Sequence, residues 1–233
     1  MLQRSLDDGV LTLTLDDGRR NAITPELCTA LTSALDDAGD AQAVVLAGRP
    51  GAFSAGLDLG IMQTGDRVAI EELLRAVGAA LMRLWIEPRP TVAAATGHAL
   101  AGGTLLALAC DHVVAAEDGA WGLIETTVGL ELPEFAITLA RHRLRTERFE
   151  QLLLTGARLT APAAQEVGYV DEVLPPDAVV DRAREHARQL AQLPGHAYGG
   201  SKARLRGADA KAVLDGLAED VTALIDAFPG VPG

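Results

Sequence analysis

The most constraining feature of the sequence is the stretch from Thr91 to Cys110, which contains no Asp, Glu, Lys or Arg. A stretch of this length is long enough to cross a lipid bilayer. Its centre is only weakly apolar, because three glycines and a histidine interrupt the run of Ala, Val and Leu. We therefore predict a buried strand at residues 91–95, a glycine-rich turn, and a buried helix at residues 102–109.

Hydrophobic periodicity predicts further strands and helices along the chain. Residues 10–15 alternate leucine with threonine, which indicates a half-buried strand. Thr24, Pro25 and Glu26 supply the N-cap, the first-turn proline and the acidic residue that are typical of a helix start. The remaining predicted strands are residues 43–47, 112–116 and 170–174, and the remaining predicted helices are residues 70–85, 136–154, 177–193 and 210–228.

The order of these elements indicates the fold class. Strands and helices are interleaved up to about residue 175, and the elements predicted after it are helices alone. This order is typical of an α/β or α+β fold with a helical C-terminal piece. We therefore expect a core at residues 1–175 and a C-terminal helical region at residues 176–233. The helix at 210–228 has an apolar stripe so wide that it must pack on the core, on another subunit, or on both.

Charge and cysteine content limit the classes of ligand and compartment. The formal net charge is -12, so the chain repels polyphosphate backbones, and nucleic-acid binding is not expected. Cys28 and Cys110 are far apart and belong to no metal-ligand motif, so we expect reduced thiols and no metal. The first ten residues lack the apolar segment of a signal peptide, and the weakly apolar centre of the uncharged stretch argues against a membrane span. We expect a cytoplasmic protein.

Two glycine-containing turns are candidates for an anion site. One is FSAGLDL at residues 53–59, and the other is GHALAGGT at residues 97–104. Each is predicted to lie between a strand and a helix, where backbone N–H groups are left free. Brought together, the two turns would offer a pair of backbone donors to an anion, although glycine turns are also common without any such role. Neither turn is a Walker A or GxGxxG motif.

These turns also carry a family resemblance. FSAGLDL, GHALAGGTLLALACD and WGLIETTVGL, in this order, resemble the enoyl-CoA hydratase/isomerase (crotonase) superfamily. The opening DDGVLTLTLDDGRRNAIT and the segments LTGARLTA and GYVDEV extend the resemblance over nearly the whole chain. The resemblance implies a spiral of β-β-α units, an acyl-CoA thioester as substrate, and C-terminal helices that form a homotrimer or a dimer of trimers.

The resemblance also implies roles for particular residues. The backbone N–H groups of Leu57 and Gly102 would bind the thioester oxygen, and Glu125 would be the catalytic acid and base. Family hydratases use two glutamates, and the first of these positions is Leu105 here. The motifs are closer to 3,2-trans-enoyl-CoA isomerases, in which one carboxylate moves a proton from C2 to C4. No cofactor is expected apart from the coenzyme A of the substrate.

Other functions remain open from the sequence. The main alternative is a 2-enoyl-CoA hydratase, with Glu131 or Glu134 as the second acid. A further alternative is an acyl-CoA-binding protein without activity, since one catalytic glutamate is missing. Taken alone, Glu125 is also compatible with a surface carboxylate on a loop.

The remaining site assignments concern coenzyme A. The turn with Arg20 and Ala22 is where family members contact the nucleotide, and Lys202 is a candidate phosphate ligand. The other candidates form the substrate turn and are Ala55, Gly56, Leu57, Asp58 and Leu59. Asp58 is also a good helix N-cap, which is the more ordinary role for it. His98 and Asp111 are expected to have structural roles.

Overall fold

The computed structural model describes residues 2–228, and its main sheet has six strands. Their spatial order is β1 (Leu2–Asp7), β2 (Val10–Leu15), β4 (Ala43–Gly48), β7 (Thr91–Ala95), β9 (His112–Ala116) and β12 (Glu172–Leu174). β1 and β2 form an antiparallel hairpin, and every other neighbouring pair is parallel. The strands predicted from apolar runs are all present, whereas β1 was not predicted because most of its side chains are exposed.

A second sheet carries the strands that follow the main-sheet strands directly in the chain. Its order is β11 (Leu159–Thr160), β10 (Ala120–Gly122), β8 (Gly97–Leu100) and β5 (Gly51–Ser54). The chain thus passes from β4 to β5, from β7 to β8 and from β9 to β10, and helical segments follow each pair. This repetition confirms the predicted spiral of β-β-α units. A third, two-stranded sheet pairs β3 (Ala22–Ile23) with β6 (Gly56–Leu57).

The described chain also contains ten helical segments, which turns and loops connect to the strands. They are α1 (Pro25–Asp36), α2 (Leu59–Gln63), α3 (Arg67–Trp85), α4 (Gly102–Leu108), a 3₁₀ helix (Glu125–Val128), α5 (Glu134–Arg143), α6 (Phe149–Thr155), α7 (Ala161–Val167), α8 (Val179–Ala191) and α9 (Gly195–Ala227). The Thr24 side chain caps α1 by accepting from the Leu27 N–H, as predicted. No helix within residues 2–228 is long and apolar enough to span a membrane.

Two helix predictions were wrong in their bounds. The predicted helix at 136–154 is two helices, because the chain turns extended at Leu144 and the Arg145 N–H donates to the Val167 carbonyl instead. The last helix begins at Gly195 and not near residue 210. Its first turns are rich in glycine and have low helix propensity, so tertiary contacts must stabilise them. Gly199 packs so closely on Pro88 that a Cβ would lie 3.0 Å from the Pro88 carbonyl oxygen.

The two faces of the main sheet are covered by different helices. One face carries the larger core, to which α1, α3, α4, α5 and α9 contribute. On the other face, small and branched strand residues meet Val179, Ala183 and Ala187 of α8. The apolar stripe of α9 is used mainly inside the chain, since Val221 and Ile225 are buried in the core.

Candidate active site

An apolar pocket lies between α3, the N-terminus of α4 and the C-terminal end of α9. Leu57, Gly102 and Glu125, which were predicted separately from three segments, all line it. Among residues 2–228, the only other charged residue in its lining is Glu131. The apolar lining is Met62, Ile70, Leu74, Val77, Leu105, Leu130, Pro133, Phe135, Leu224, Ile225 and Phe228. The pocket therefore presents one amide-rich wall and one buried carboxyl in otherwise hydrocarbon surroundings.

The two glycine turns meet at this amide-rich wall. A Cβ placed on Gly56 would lie 3.1 Å from the Gly102 nitrogen, and one placed on Gly102 would lie 3.6 Å from the Leu57 nitrogen. Gly102 is the first residue of α4, so its N–H belongs to the group that a helix leaves without an internal partner. This juxtaposition brings the two predicted donor nitrogens to the same side of the pocket.

The turn that presents Gly102 has an unusual backbone. Ala101 has φ 49° and ψ -125°, a conformation that strongly favours glycine. Its N–H donates to the Gly122 carbonyl at 2.9 Å, which ties the turn to β10. The neighbouring Gly103 is also required, because a Cβ there would lie 2.2 Å from the Ser54 carbonyl oxygen. The second sheet therefore holds this strained turn in place.

Asn21 positions the other turn, and this role was missed in the sequence. Its side-chain amide donates to the carbonyls of Leu15 and Phe53 at 2.9 and 3.0 Å. The backbone carbonyl of Asn21 accepts a hydrogen bond from Ser54 Oγ at 2.7 Å, and Ser54 Oγ accepts one from the Gly56 N–H. Asn21 has φ 54°, which asparagine tolerates better than most residues. The Asn in the predicted nucleotide turn was the available signal, but its partners Phe53 and Ser54 lie on a strand remote in sequence.

Glu125 is the first residue of the 3₁₀ helix, and its side chain is 7% exposed. Burial raises its pKa to about 7, against the opposing effect of a hydrogen bond from its own backbone N–H. Within residues 2–228, no group hydrogen-bonds its Oε2 atom. The reading of Glu125 as a surface carboxylate is therefore wrong. A carboxyl in such a setting exchanges a proton near neutral pH.

The candidates for a second acid are arranged differently. Leu105 is 2% exposed and lines the pocket with its alkyl side chain. Glu131 is solvent-exposed at the pocket lining. Glu134 is outside the lining and accepts from Thr138 Oγ1 at 3.3 Å, while its N–H donates to Asp220. Only Glu131 has the location of a possible partner to Glu125.

The residues predicted for coenzyme A lie along a neighbouring cleft and turn. Ala22 and Asp58 line the cleft, and the exposed Arg20 and Ala55 are joined by a hydrogen bond from the Ala55 N–H to the Arg20 carbonyl. Asp58 caps α2 by accepting from the N–H groups of Gly60 and Ile61. Leu59 is 64% exposed.

The structure contradicts the expectation that Lys202 contacts phosphate. It is 5% exposed, and its ammonium donates to the Glu87 and Arg89 carbonyls and to Asp111 Oδ2. No hydrogen of that ammonium is left for another acceptor, so we remove Lys202 from the coenzyme A candidates. Asp111 also accepts from Arg206 and Tyr198, and thus joins the core to α9.

His98 has the structural role that was expected. Its side chain is exposed, and its Nδ1 accepts from the Ala120 N–H at 3.0 Å.

Comparison with known proteins gives a consistent family. The family model for enoyl-CoA hydratase/isomerase matches residues 5–227. A Thermus thermophilus protein that carries an enoyl-CoA hydratase name is 38% identical over 184 residues, which are 76% of this chain and 72% of the relative. The 2,3-dehydroadipyl-CoA hydratase of Escherichia coli is 31% identical over 219 residues, covering 91% of this chain and 84% of the relative.

Solved structures agree with these relatives. A Mycobacterium tuberculosis enoyl-CoA isomerase superposes with a TM-score of 0.88 at 32% identity, covering 94% of this chain and 98% of that chain. The human mitochondrial delta3-delta2-enoyl-CoA isomerase superposes with a TM-score of 0.92 at 28% identity, covering 97% and 90%. These matches confirm the resemblance seen in the sequence, and the chain belongs to the enoyl-CoA hydratase/isomerase family.

Proposed function

We propose that the protein isomerises 3-enoyl-CoA to 2-enoyl-CoA thioesters. The observation that carries this proposal is the buried carboxyl of Glu125 in a pocket where Leu105 contributes an alkyl side chain in place of a second buried acid. Hydration needs one group to activate water and another to protonate C2, and leucine can do neither. Isomerisation needs one group that accepts a proton and returns it.

The proposed reaction is a proton shuttle. Glu125, as the carboxylate, removes a proton from C2 of the 3-enoyl thioester, and the electrons move onto the thioester oxygen to give a dienolate. The N–H groups of Leu57 and Gly102 stabilise the negative charge on that oxygen. The protonated Glu125 then donates the same proton to C4, and the double bond is left between C2 and C3. A carboxyl whose pKa is about 7 suits both transfers. No cofactor is needed beyond the coenzyme A of the substrate.

Names among the relatives support the family without separating its reactions. The relatives from Thermus thermophilus and Escherichia coli carry hydratase names, whereas the human neighbour is an isomerase. The Mycobacterium tuberculosis neighbour is called an isomerase for one solved structure and a hydratase for another.

A 2-enoyl-CoA hydratase is the second candidate, and Glu131 is the observation that favours it. Glu131 is the one other carboxylate that the described part of the chain contributes to the pocket lining, and it is exposed to water. In that reaction Glu131 would activate the water and Glu125 would protonate C2.

Parallel assays with 3-hexenoyl-CoA and crotonyl-CoA distinguish the candidates. We expect isomerisation of the first to exceed hydration of the second. Glu125→Gln should lower kcat for isomerisation by about 10²–10⁴ with little change in binding. Glu134→Gln is the matched control, because Glu134 lies outside the pocket and should leave kcat unchanged.

The opposite pattern would overturn the proposal. Rapid hydration of crotonyl-CoA without isomerisation, lost in Glu131→Gln, would identify a hydratase. Tight binding of acyl-CoA with no turnover of either substrate would identify a binding protein without activity.

A further inference from the structure

A second cluster of chemically active side chains lies on the sheet face beneath α8. His112 is the first residue of β9, Glu172 is the first residue of β12, and His186 is on α8. β9 and β12 are parallel neighbours, and Glu172 pairs with Val114, two residues after His112, so Glu172 and His112 project from the same face of the sheet. One ligand atom from each of the three side chains lies within 4.8 Å of the others. None of the three lines the pocket of Glu125.

His112 lies between two carboxylates. Its Nε2 is 2.9 Å from Glu172 Oε1, and its Nδ1 is 3.6 Å from Asp171 Oδ2. Asp171 is itself fixed by the Val113 N–H at 2.8 Å and by Arg143 at 2.6 Å. The distance from Nε2 to Glu172 is that of a hydrogen bond, in which Nε2 donates when it carries the ring hydrogen. In the other tautomer, with the hydrogen on Nδ1 toward Asp171, the Nε2 lone pair is free to bind a cation in place of that hydrogen, which is the arrangement where a carboxylate orients a metal-binding histidine.

His186 adds a second ring nitrogen to the cluster. Its ring stacks on that of His112, with centroids 3.9 Å apart and planes 23° apart. Its Nδ1 is buried, and no group in the part of the chain that the structure describes hydrogen-bonds it. A buried imidazole nitrogen without a partner is costly unless something binds it. This unpartnered nitrogen on a residue of the cluster is an independent indication of a ligand.

The charges around the cluster also suit a divalent cation. Arg182 donates two hydrogen bonds to Glu172, from Nε to Oε2 at 2.7 Å and from Nη2 to Oε1 at 3.0 Å. It also donates a hydrogen bond to Glu185. Oε1 can therefore turn to a cation while the shorter bond from Arg182 to Oε2 still holds the carboxylate. Asp171, Glu172 and Glu185 together carry one more charge than Arg143 and Arg182 offset. The surroundings of the two histidines are thus net negative.

We propose that His112, Glu172 and His186 bind a zinc-like divalent ion, with Asp171 orienting His112. A site of two imidazoles and a carboxylate binds Zn²⁺ in preference to Mg²⁺ or Ca²⁺. Ligand atoms in a tetrahedral zinc site are about 3.3 Å apart. Binding therefore requires the 2.9 Å contact of His112 with Glu172 to open slightly, and the ring of His186 to tilt out of its stack toward the ion. With water as the fourth ligand, the ion would fasten α8 to β9 and β12.

Isothermal titration of ZnCl₂ into the EDTA-treated, dialysed full chain tests this site. We expect one zinc per chain and a rise in Tm with zinc but not with MgCl₂. His186→Phe keeps a flat ring stacked on His112 but removes the ligand, and it should weaken zinc binding by at least about tenfold. His196→Phe is the matched control, since His196 is an exposed residue outside the cluster and zinc binding should be unchanged.

Two outcomes would overturn the site. One is the absence of zinc binding to the unsubstituted chain at concentrations up to about 100 μM, well above those at which a three-ligand zinc site is occupied. The other is equal binding by His186→Phe and the unsubstituted chain, because zinc would then be bound elsewhere. If His186→Phe fails to fold, as judged by circular dichroism, Glu172→Gln replaces it. That substitution keeps the shape of the side chain and an oxygen for Arg182, and it should also weaken zinc binding.

Discussion

The side chains of Leu105 and Glu125 line one pocket, and each is more than nine-tenths buried. The position at which family hydratases have their other glutamate is thus an alkyl side chain in the same pocket. Desolvation by burial raises the pKa of Glu125 to about 7. The first two predictions follow from this one environment.

The rate of isomerisation should depend on the ionisation of Glu125. Proton removal from C2 requires the carboxylate, so kcat/KM for 3-hexenoyl-CoA should rise with pH and reach half its maximum near pH 7. A pH–rate profile from pH 5 to 9 provides the measurement. A profile that is flat across pH 6–8 would show that Glu125 is not the group that accepts the proton.

The free energy of unfolding should also depend on the ionisation of Glu125, but here ionisation should lower it. The pKa of Glu125 is higher in the folded chain than its ordinary 4.5, so folding opposes its ionisation. The penalty is absent below pH 4.5, grows between pH 4.5 and 7, and is complete above pH 7. Glu125→Gln removes it, so the unfolding free energy of the variant should gain about 3 kcal/mol relative to the unsubstituted chain between pH 4.5 and 8.

Denaturant unfolding at several pH values measures that difference. Any loss of packing in Glu125→Gln is independent of pH, so it shifts the unfolding free energy of the variant by the same amount at every pH. A difference between the two proteins that stays constant with pH would contradict the raised pKa.

Ala101→Gly should stabilise the protein. Ala101 has φ 49°, a conformation that costs a residue with a Cβ about 1–3 kcal/mol and costs glycine little. The greater freedom of glycine in the unfolded chain removes part of that gain, and we expect a net gain of about 1 kcal/mol. Ala107→Gly in the same helix region is the control and should destabilise, because Ala107 is buried inside α4. Equal losses in both variants would show that the Ala101 turn is unstrained.

The two lysines should respond very differently to substitution. Lys202 binds Asp111 at 2.6 Å in an almost fully buried ion pair, whereas the pair of Lys211 and Asp215 is exposed. Lys202→Met leaves a buried carboxylate with one partner fewer and should cost about 3 kcal/mol of unfolding free energy. Lys211→Met should change it by less than about 0.5 kcal/mol.

Kinetics of the same pair also test the role of Lys202. If Lys202→Met is assayed below its Tm, KM for the thioester should be unchanged. A rise in KM without a loss of stability would restore Lys202 as a phosphate ligand.

The assembly remains a prediction, and we expect a trimer or a dimer of trimers. The stripe of α9 is mostly buried within its own chain, so it supplies less free surface than its sequence suggested. Val68, Leu154 and Leu205 are each 73% exposed and are better candidates for contacts between subunits. Sedimentation velocity at micromolar concentration should show three or six chains. A stable and fully active monomer would refute this assembly.

The sequence by itself determined the apolar strands of the main sheet, the family and the pocket's principal groups. Strands such as β4 and β9 are short apolar runs whose local pattern is sufficient to place them. Leu57, Gly102 and Glu125 belong to ordered motifs, and the structure brings all three to one pocket. Leu105 was also visible as the departure that separates the two candidate reactions. These features depend on residue type and spacing, which are local properties.

Only the tertiary structure decided the rest, because it depends on groups remote in sequence. The second sheet consists of strands of two to four residues that have no pattern of their own. Lys202 reads as a surface cation until Asp111 and two carbonyls surround it. The positive φ of Ala101 occurs in a turn that a hydrogen bond ties to Gly122, and the raised pKa of Glu125 follows from burial. Burial, strain and ion pairing are properties of a neighbourhood that several distant segments build together.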